Sequence, residues 1–131
     1  MKKLIAILAV ALLAGCTISP TPPSINAQVY NTENLIADTA KAATHVFNIQ
    51  YHTALLGTNP PPNVIQMNAT RDTFYKTDEQ LSASLQLVDT LRIQTVATAS
   101  TNWEPVFAAL TTAQAQVSTL NSLTNLISTL K

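Results

Sequence analysis

Apolar residues recur at helical spacing along almost the whole chain from residue 27 onward. In the first segment the steps are seven, four, three, four and seven, through Val29, Ile36, Ala40, Ala43, Phe47 and Ala54. This spacing places the residues on one face of an α-helix. The pattern ends at Gly57, a residue type suited to a left-handed helix cap, and Asn59 and three prolines follow. The sequence therefore predicts a first helix that ends near Gly57.

A second helical region is predicted from about Val64 to Ala99. Its apolar face consists of Met67, Phe74, Leu81, Leu85, Val88 and Leu91. Thr77-Asp78-Glu79-Gln80 fits a capping box, so the region is either one helix or two with a break near Thr77. Both alternatives stay open at this point.

A third helix is predicted to begin at a second capping box, Thr101-Asn102-Trp103-Glu104. Pro105 falls in its first turn, where the missing N–H matters least. Its apolar face consists of Val106, Leu110, Ala113, Val117, Leu120, Ile127 and Leu130.

The three stripes also predict how the helices pair. In an antiparallel pair, contacting residues have a constant sum of residue numbers. For the first and second helices, the sum of residue numbers is identical for Phe47–Phe74, Ala40–Leu81 and Ile36–Leu85. For the second and third helices, the sum differs by at most one among Val96–Phe107, Ile93–Leu110 and Leu85–Val117. We therefore predict an all-α fold, an antiparallel up-down-up three-helix bundle over residues 27–131, with Phe47 against Phe74 and Phe107 buried.

The first fifteen residues have the organisation of a secretory signal peptide. Lys2 and Lys3 precede an apolar run from Leu4 to Ala14, and small residues follow. Eleven helical residues reach roughly 16 Å, short of a hydrocarbon core about 30 Å thick. A membrane-spanning helix is therefore not expected here.

Leu13-Ala14-Gly15-Cys16 resembles the lipobox of bacterial lipoproteins. The resemblance covers these first sixteen residues and implies cleavage between Gly15 and Cys16, with diacylglycerol on the Cys16 thiol and an acyl chain such as palmitate on its new amino group. The alternative is an ordinary signal peptide followed by a free or buried cysteine. Cys16 is the only cysteine and cannot form an intramolecular disulfide, which favours lipidation.

Thr17 bears on the membrane that holds the anchor. In Gram-negative lipoproteins an Asp after the lipidated cysteine retains the protein at the inner membrane. Thr17 therefore favours the outer membrane, facing the periplasm, whereas a Gram-positive source would imply the outer leaflet of the plasma membrane. Residues 16–26 contain Pro20, Pro22 and Pro23 and are predicted to be a tether in extended conformation.

Charge is sparse in the mature chain. Of seven basic residues, Lys2 and Lys3 leave with the signal peptide, so five remain against seven acidic residues. The remaining basic residues are scattered and form no stripe for nucleic acid. No nucleic-acid partner is therefore expected.

The residue types needed for catalysis or metal binding are not grouped in the sequence. His45 and His52 are seven residues apart, two helical turns, whereas zinc ligands on a helix usually lie one turn apart. Helical spacing pairs Asp38 with Lys41, Asp72 with Lys76 and Asp89 with Arg92. Glu33, Asp78 and Glu79 remain without an acid–base partner. We expect no catalytic residue, no metal site and no cofactor.

The aromatic residues mostly fall on the predicted core faces, and core packing is the expected role. Trp103, in the first turn of the third helix, is the candidate contact with a partner protein. The composition predicts a lipid-anchored, non-catalytic structural or interaction module of the envelope whose protein partner is unknown, with self-association left open. The alternative is a phage- or prophage-encoded lipoprotein acting in host lysis or superinfection exclusion.

Overall fold

Three long helices make up the folded part of the chain. The computed structural model describes residues 24–57 and 63–130, and within them lie α1 (Ile25–Gly57), α2 (Val64–Ala97) and α3 (Glu104–Thr129), with no strand. The predicted three-helix bundle is confirmed. Because α1 begins at Ile25, the last two residues of the segment expected as a tether are helical.

Contacts between distant residues fix the directions of the helices. The rings of Phe47 and Phe74 stack with centroids 4.0 Å apart, as the register predicted. Asn63, at the start of α2, donates from Nδ2 to the carbonyl of Leu130 beyond the end of α3, at 3.4 Å. The order is therefore up, down, up. We call the end that holds Ile25, Ala97 and Glu104 the proximal end, and the opposite end the distal end.

One hydrophobic core runs the length of the bundle. Ile36, Phe47, Met67 and Phe74 are fully buried. Every apolar residue predicted for the faces of the first and third helices is buried as well. On α2 the buried apolar residues are Met67, Phe74, Leu81 and Val88, while Leu85 and Leu91 are partly buried against the core.

The second helix is continuous, so the break considered near Thr77 is not present. The Thr77 side chain is buried and its hydroxyl donates to the carbonyl of Thr73 at 2.9 Å. Thr70, Thr95 and Thr124 are buried in the same way, each bonded to the carbonyl four residues earlier. Because the helix itself supplies this acceptor, threonine can occupy a core position without leaving a buried hydroxyl unpaired.

The predicted packing at the proximal end of α2 and α3 is wrong. Ile93, Val96 and Phe107 are each about half exposed, at 54%, 50% and 46%. The core stripe of α2 instead continues from Val88 to Thr95, seven residues on. The prediction followed apolar residues only, and so it passed over the threonine that holds the stripe in phase.

At the starts of α1 and α3, a polar side chain accepts a hydrogen bond from a backbone N–H group. Ser24 Oγ accepts from the N–H of Ala27 at 3.2 Å, a regular N-cap for α1. Asn102 Oδ1 accepts from the N–H of Glu104 at 3.1 Å, and α3 begins at Glu104. The capping box expected from Thr101 is therefore replaced by an Asn102 side chain that bonds the first helical residue.

The helix ends also differ from the prediction. Gly57 is the last residue of α1, and its φ is not positive. The left-handed conformation occurs at Ala99, with φ 50°, after the end of α2. Here Ser100 N–H donates to the Thr95 carbonyl at 3.0 Å and Ala99 N–H to the Val96 carbonyl at 3.1 Å. These two bonds form a Schellman motif with alanine where glycine is usual.

Candidate functional site

An open groove lies between α1 and α2, midway along the bundle. Its volume is about 460 Å³. Ala40 and Leu81, both buried, line it together with residues from the two helices. The complete lining is Ala37, Ala40, Lys41, Thr44, His45 and Asn48 of α1 and Asp78, Leu81, Ser82 and Leu85 of α2.

The groove exists because small side chains face each other at this level. Ala37, Ala40 and Thr44 of α1 lie opposite Ser82 of α2. The Thr44 hydroxyl donates to the Ala40 carbonyl at 3.0 Å, so it is bonded to its own helix. The result is a mainly apolar surface large enough for one or two side chains of another molecule.

Polar groups stand among the residues that line the groove. Lys41 Nζ lies 3.5 Å from Asp38 Oδ1, the predicted pair, and both side chains are exposed. Burial raises the pKa of Asp78 above its ordinary value. His45 lines the groove on α1. These groups give the groove both hydrogen-bond donors and acceptors.

A cluster centred on Arg92 joins α1 to α2 at the proximal end. Arg92 Nη1 donates to Asn26 Oδ1 at 3.0 Å, and Nη2 donates to Asp89, its predicted partner. Arg92 Nε lies 3.8 Å from Glu33 Oε2. The guanidinium carbon lies 5.2 Å from the ring centroid of Tyr30, a cation–π geometry.

Glu33 has a buried carboxylate oxygen without a hydrogen-bond partner in this cluster. Its side chain is 16% exposed, and its Oε2 has no hydrogen-bond partner. Burial raises the pKa of Glu33, the negative charge of Asp89 raises it further, and the positive charge of Arg92 acts in the opposite direction. The ion pair with Arg92 therefore does not compensate fully for the loss of hydration.

A second polar cluster joins the same two helices towards the distal end. Tyr51 donates from its hydroxyl to Asn68 Oδ1 at 2.6 Å and accepts from Arg71 Nη1 at 3.1 Å. Arg71 also donates to Asp72 Oδ1, at 2.8 Å from Nη2. The predicted pair of Asp72 with Lys76 is therefore replaced by a pair with the adjacent Arg71.

Of the site residues predicted from the sequence, the structure describes only Trp103. Gly15 and Cys16 lie outside the described residues. Trp103 is half-buried against the core, so only part of its ring surface is available to a partner. His52 contacts the Tyr51 ring edge to face at 5.7 Å, whereas His45 lies at the groove.

Sequence reasoning missed the Arg92 cluster and the groove. It paired Arg92 with Asp89 but left Glu33 unassigned, since the contact between Glu33 and Arg92 depends on how two helices face each other. A signal was present in the predicted register, which places the first turns of α1 opposite the last turns of α2. The groove has a weaker signal, the small residues Ala37, Ala40 and Thr44 on one flank of α1.

Neither metal-ligand geometry nor similarity to known proteins adds an assignment. Within residues 24–57 and 63–130, no group of three or more His, Cys, Asp or Glu side chains could hold a metal ion. None of the helices in that part of the chain is long and apolar enough to cross a membrane. The sequence matches no protein-family model, and neither the curated proteins nor the solved structures give a significant match.

Proposed function

We propose that this protein is a lipid-anchored lipoprotein of the bacterial envelope whose helical bundle serves as a non-catalytic structural or protein-interaction module. The observation that carries the proposal is the position of Cys16, the lone cysteine, directly after Leu13-Ala14-Gly15 and the apolar run. Thr17 makes the outer membrane, on its periplasmic face, the proposed location.

The position of α1 supports an anchor close to the bundle. Cys16 precedes Ile25, the first residue of α1, by a segment that can reach at most roughly 30 Å. Lipid on Cys16 would therefore hold the proximal end near the membrane surface. Covalent acyl chains stabilise attachment by about 0.8 kcal/mol per buried CH₂, so two or more chains give a durable anchor.

The groove between α1 and α2 supports an interaction role. It combines an apolar surface with a few polar groups, as sites for protein side chains commonly do. The described residues that line it include one carboxylate, Asp78, and one imidazole, His45, with no hydrogen bond or ion pair between them. Such a lining suits binding better than acid–base catalysis.

The anchor is tested by replacing Cys16. We expect wild-type protein to partition into detergent and to have an intact mass that includes the lipid, and Cys16→Ser to lose both properties. A matched control exchanges the thiol with the nearby hydroxyl, in the double variant Cys16→Ser, Ser19→Cys. Because lipid transfer depends on the lipobox, the control should also be unmodified. A Cys16→Ser protein that still carries lipid and partitions into detergent would contradict the proposal.

A further inference from the structure

Besides its core face, α1 has a second row of residues at heptad spacing, on a surface that the bundle does not cover; we call this row the stripe. Its members recur at steps of four and three: Leu35, Thr39, Ala42, Val46, Ile49, Thr53 and Leu56. All are exposed except Thr39, which is half-buried, and the exposed fraction rises from 37% at Leu35 to 87% at Leu56. Alternating steps of four and three are the repeat of a coiled coil.

This stripe is distinct from both the core face and the groove. Residues that line the groove, such as Ala37, Lys41 and Thr44, face α2. At about 100° per residue, the stripe lies roughly opposite to them on the helix. None of its seven residues is charged, and the Thr39 hydroxyl is bonded to the Leu35 carbonyl at 2.7 Å.

We propose that this stripe binds the same stripe of a second copy of the chain, forming a parallel two-fold dimer through α1. The residue types favour this arrangement. In heptad terms the a positions are Thr39, Val46 and Thr53, and the d positions are Leu35, Ala42, Ile49 and Leu56. All three a positions are β-branched and the first and last d positions are leucine, and β-branched residues at a with leucine at d favour two parallel strands.

The anchor supports the parallel direction. This step rests on the proposed function, because lipid on Cys16 keeps the proximal end of every copy on the membrane side. Two copies side by side then place Leu35 opposite Leu35 and Leu56 opposite Leu56. An antiparallel dimer would require one copy to turn away from the membrane.

The size of the surface indicates that anchoring contributes to the association. A stripe from Leu35 to Leu56 is roughly 32 Å long, and with a helix width of about 10 Å it covers roughly 300 Å². A stable interface usually buries about 800 Å² per partner. Confinement to one membrane raises the effective concentration of the copies.

Thiol cross-linking in membranes tests the dimer with the full chain. Ile49→Cys places a thiol on the stripe. Thr73→Cys is the matched control, exposed on α2 at a similar height because its neighbour Phe74 stacks on Phe47. Under mild oxidation we expect the Ile49→Cys variant to form at least about tenfold more cross-linked dimer than the control. Adding Val46→Lys to the Ile49→Cys chain should remove that excess, and adding Thr73→Lys should not.

Three results would overturn the dimer. They are equal cross-linking of the Ile49→Cys and Thr73→Cys variants, cross-linking of Ile49→Cys only to a different protein, and preferential linkage of a Leu35→Cys chain to a Leu56→Cys chain. The last result would show an antiparallel contact. Homotypic linkage at Leu35→Cys and at Leu56→Cys is the expected outcome.

The parent chain separates failure of the dimer from failure of the anchor. A lipidated Cys16 has no free thiol, so the parent should give no cross-link. If the parent does cross-link, Cys16 is free and the proposed anchor is wrong. The dimer is then judged by the same comparison of Ile49→Cys with Thr73→Cys in a Cys16→Ser background.

Discussion

Two phenylalanines with the same sequence-based expectation have different environments. Phe47 is fully buried, with its ring on Phe74, whereas Phe107 is 46% exposed. We expect Phe47→Ala to lower the free energy of unfolding by about 3–5 kcal/mol, and Phe107→Ala by about 1 kcal/mol or less. Denaturant unfolding followed by helicity measures both. Similar losses for the two variants would contradict the burial described here.

Glu33 links stability to pH. Its pKa is raised from 4.5, so folding disfavours the ionised carboxylate. A raised pKa means that the stability contributed by Glu33 is present below its ordinary pKa and is lost as pH rises through the raised value. We expect Glu33→Gln to become more stable relative to wild type as the pH rises from below 4.5 through the raised pKa of Glu33.

The neighbour of Glu33 provides the control for this measurement. The Asp89 charge contributes to the raised pKa, so the pH-dependent advantage of Glu33→Gln should shrink in an Asp89→Asn background. Denaturant midpoints across the pH range test both expectations. The opposite trend, with wild type gaining on Glu33→Gln as pH rises, would show that attraction to Arg92 outweighs the cost of burial.

At the scale of elements, the residue in the left-handed conformation at a helix end is an alanine, Ala99, whereas the glycine at a helix end, Gly57, does not adopt that conformation. Gly57 has no positive φ, and a Cβ there would meet nothing within 4 Å. Ala99 has φ 50° at the end of α2. We expect Gly57→Ala and Ala99→Gly each to stabilise the fold by about 0.5–1 kcal/mol, the first by restricting the unfolded chain and the second by relieving a left-handed alanine. Thermal unfolding measures both, and a loss of stability in either variant counts against the corresponding geometry.

The core face of α2 was harder to predict than the core faces of α1 and α3. The stripe of α1 has no threonine and that of α3 has one, Thr124, so both could be identified from the spacing of their apolar residues. In α2 the stripe alternates with threonines such as Thr70 and Thr77, which sequence analysis excluded as polar. Allowing for their bonds to the carbonyl four residues earlier restores the spacing of three and four.

At the scale of the whole molecule, two of the three local charge pairs could be predicted from helical spacing, Asp72 pairs with Arg71 instead of Lys76, and the pairs between helices could not be predicted. The pairs Asp38–Lys41 and Asp89–Arg92 are confirmed, because helical spacing alone brings them together. The contact of Glu33 with Arg92 depends on which sides of α1 and α2 face each other. The groove depends in addition on the small side chains that meet there, and spacing within one helix does not specify these contacts.

The many threonine hydroxyls bonded to their own helix have a consequence for the surface as a whole. Along the solvent-facing side of α3, Thr111, Thr112 and Thr119 each donate to the carbonyl four residues earlier. These exposed side chains present methyl groups and no ionic charge to the solvent. Debye screening acts on charges and not on methyl groups, so contacts made by these threonines should change little when the ionic strength of the surroundings changes.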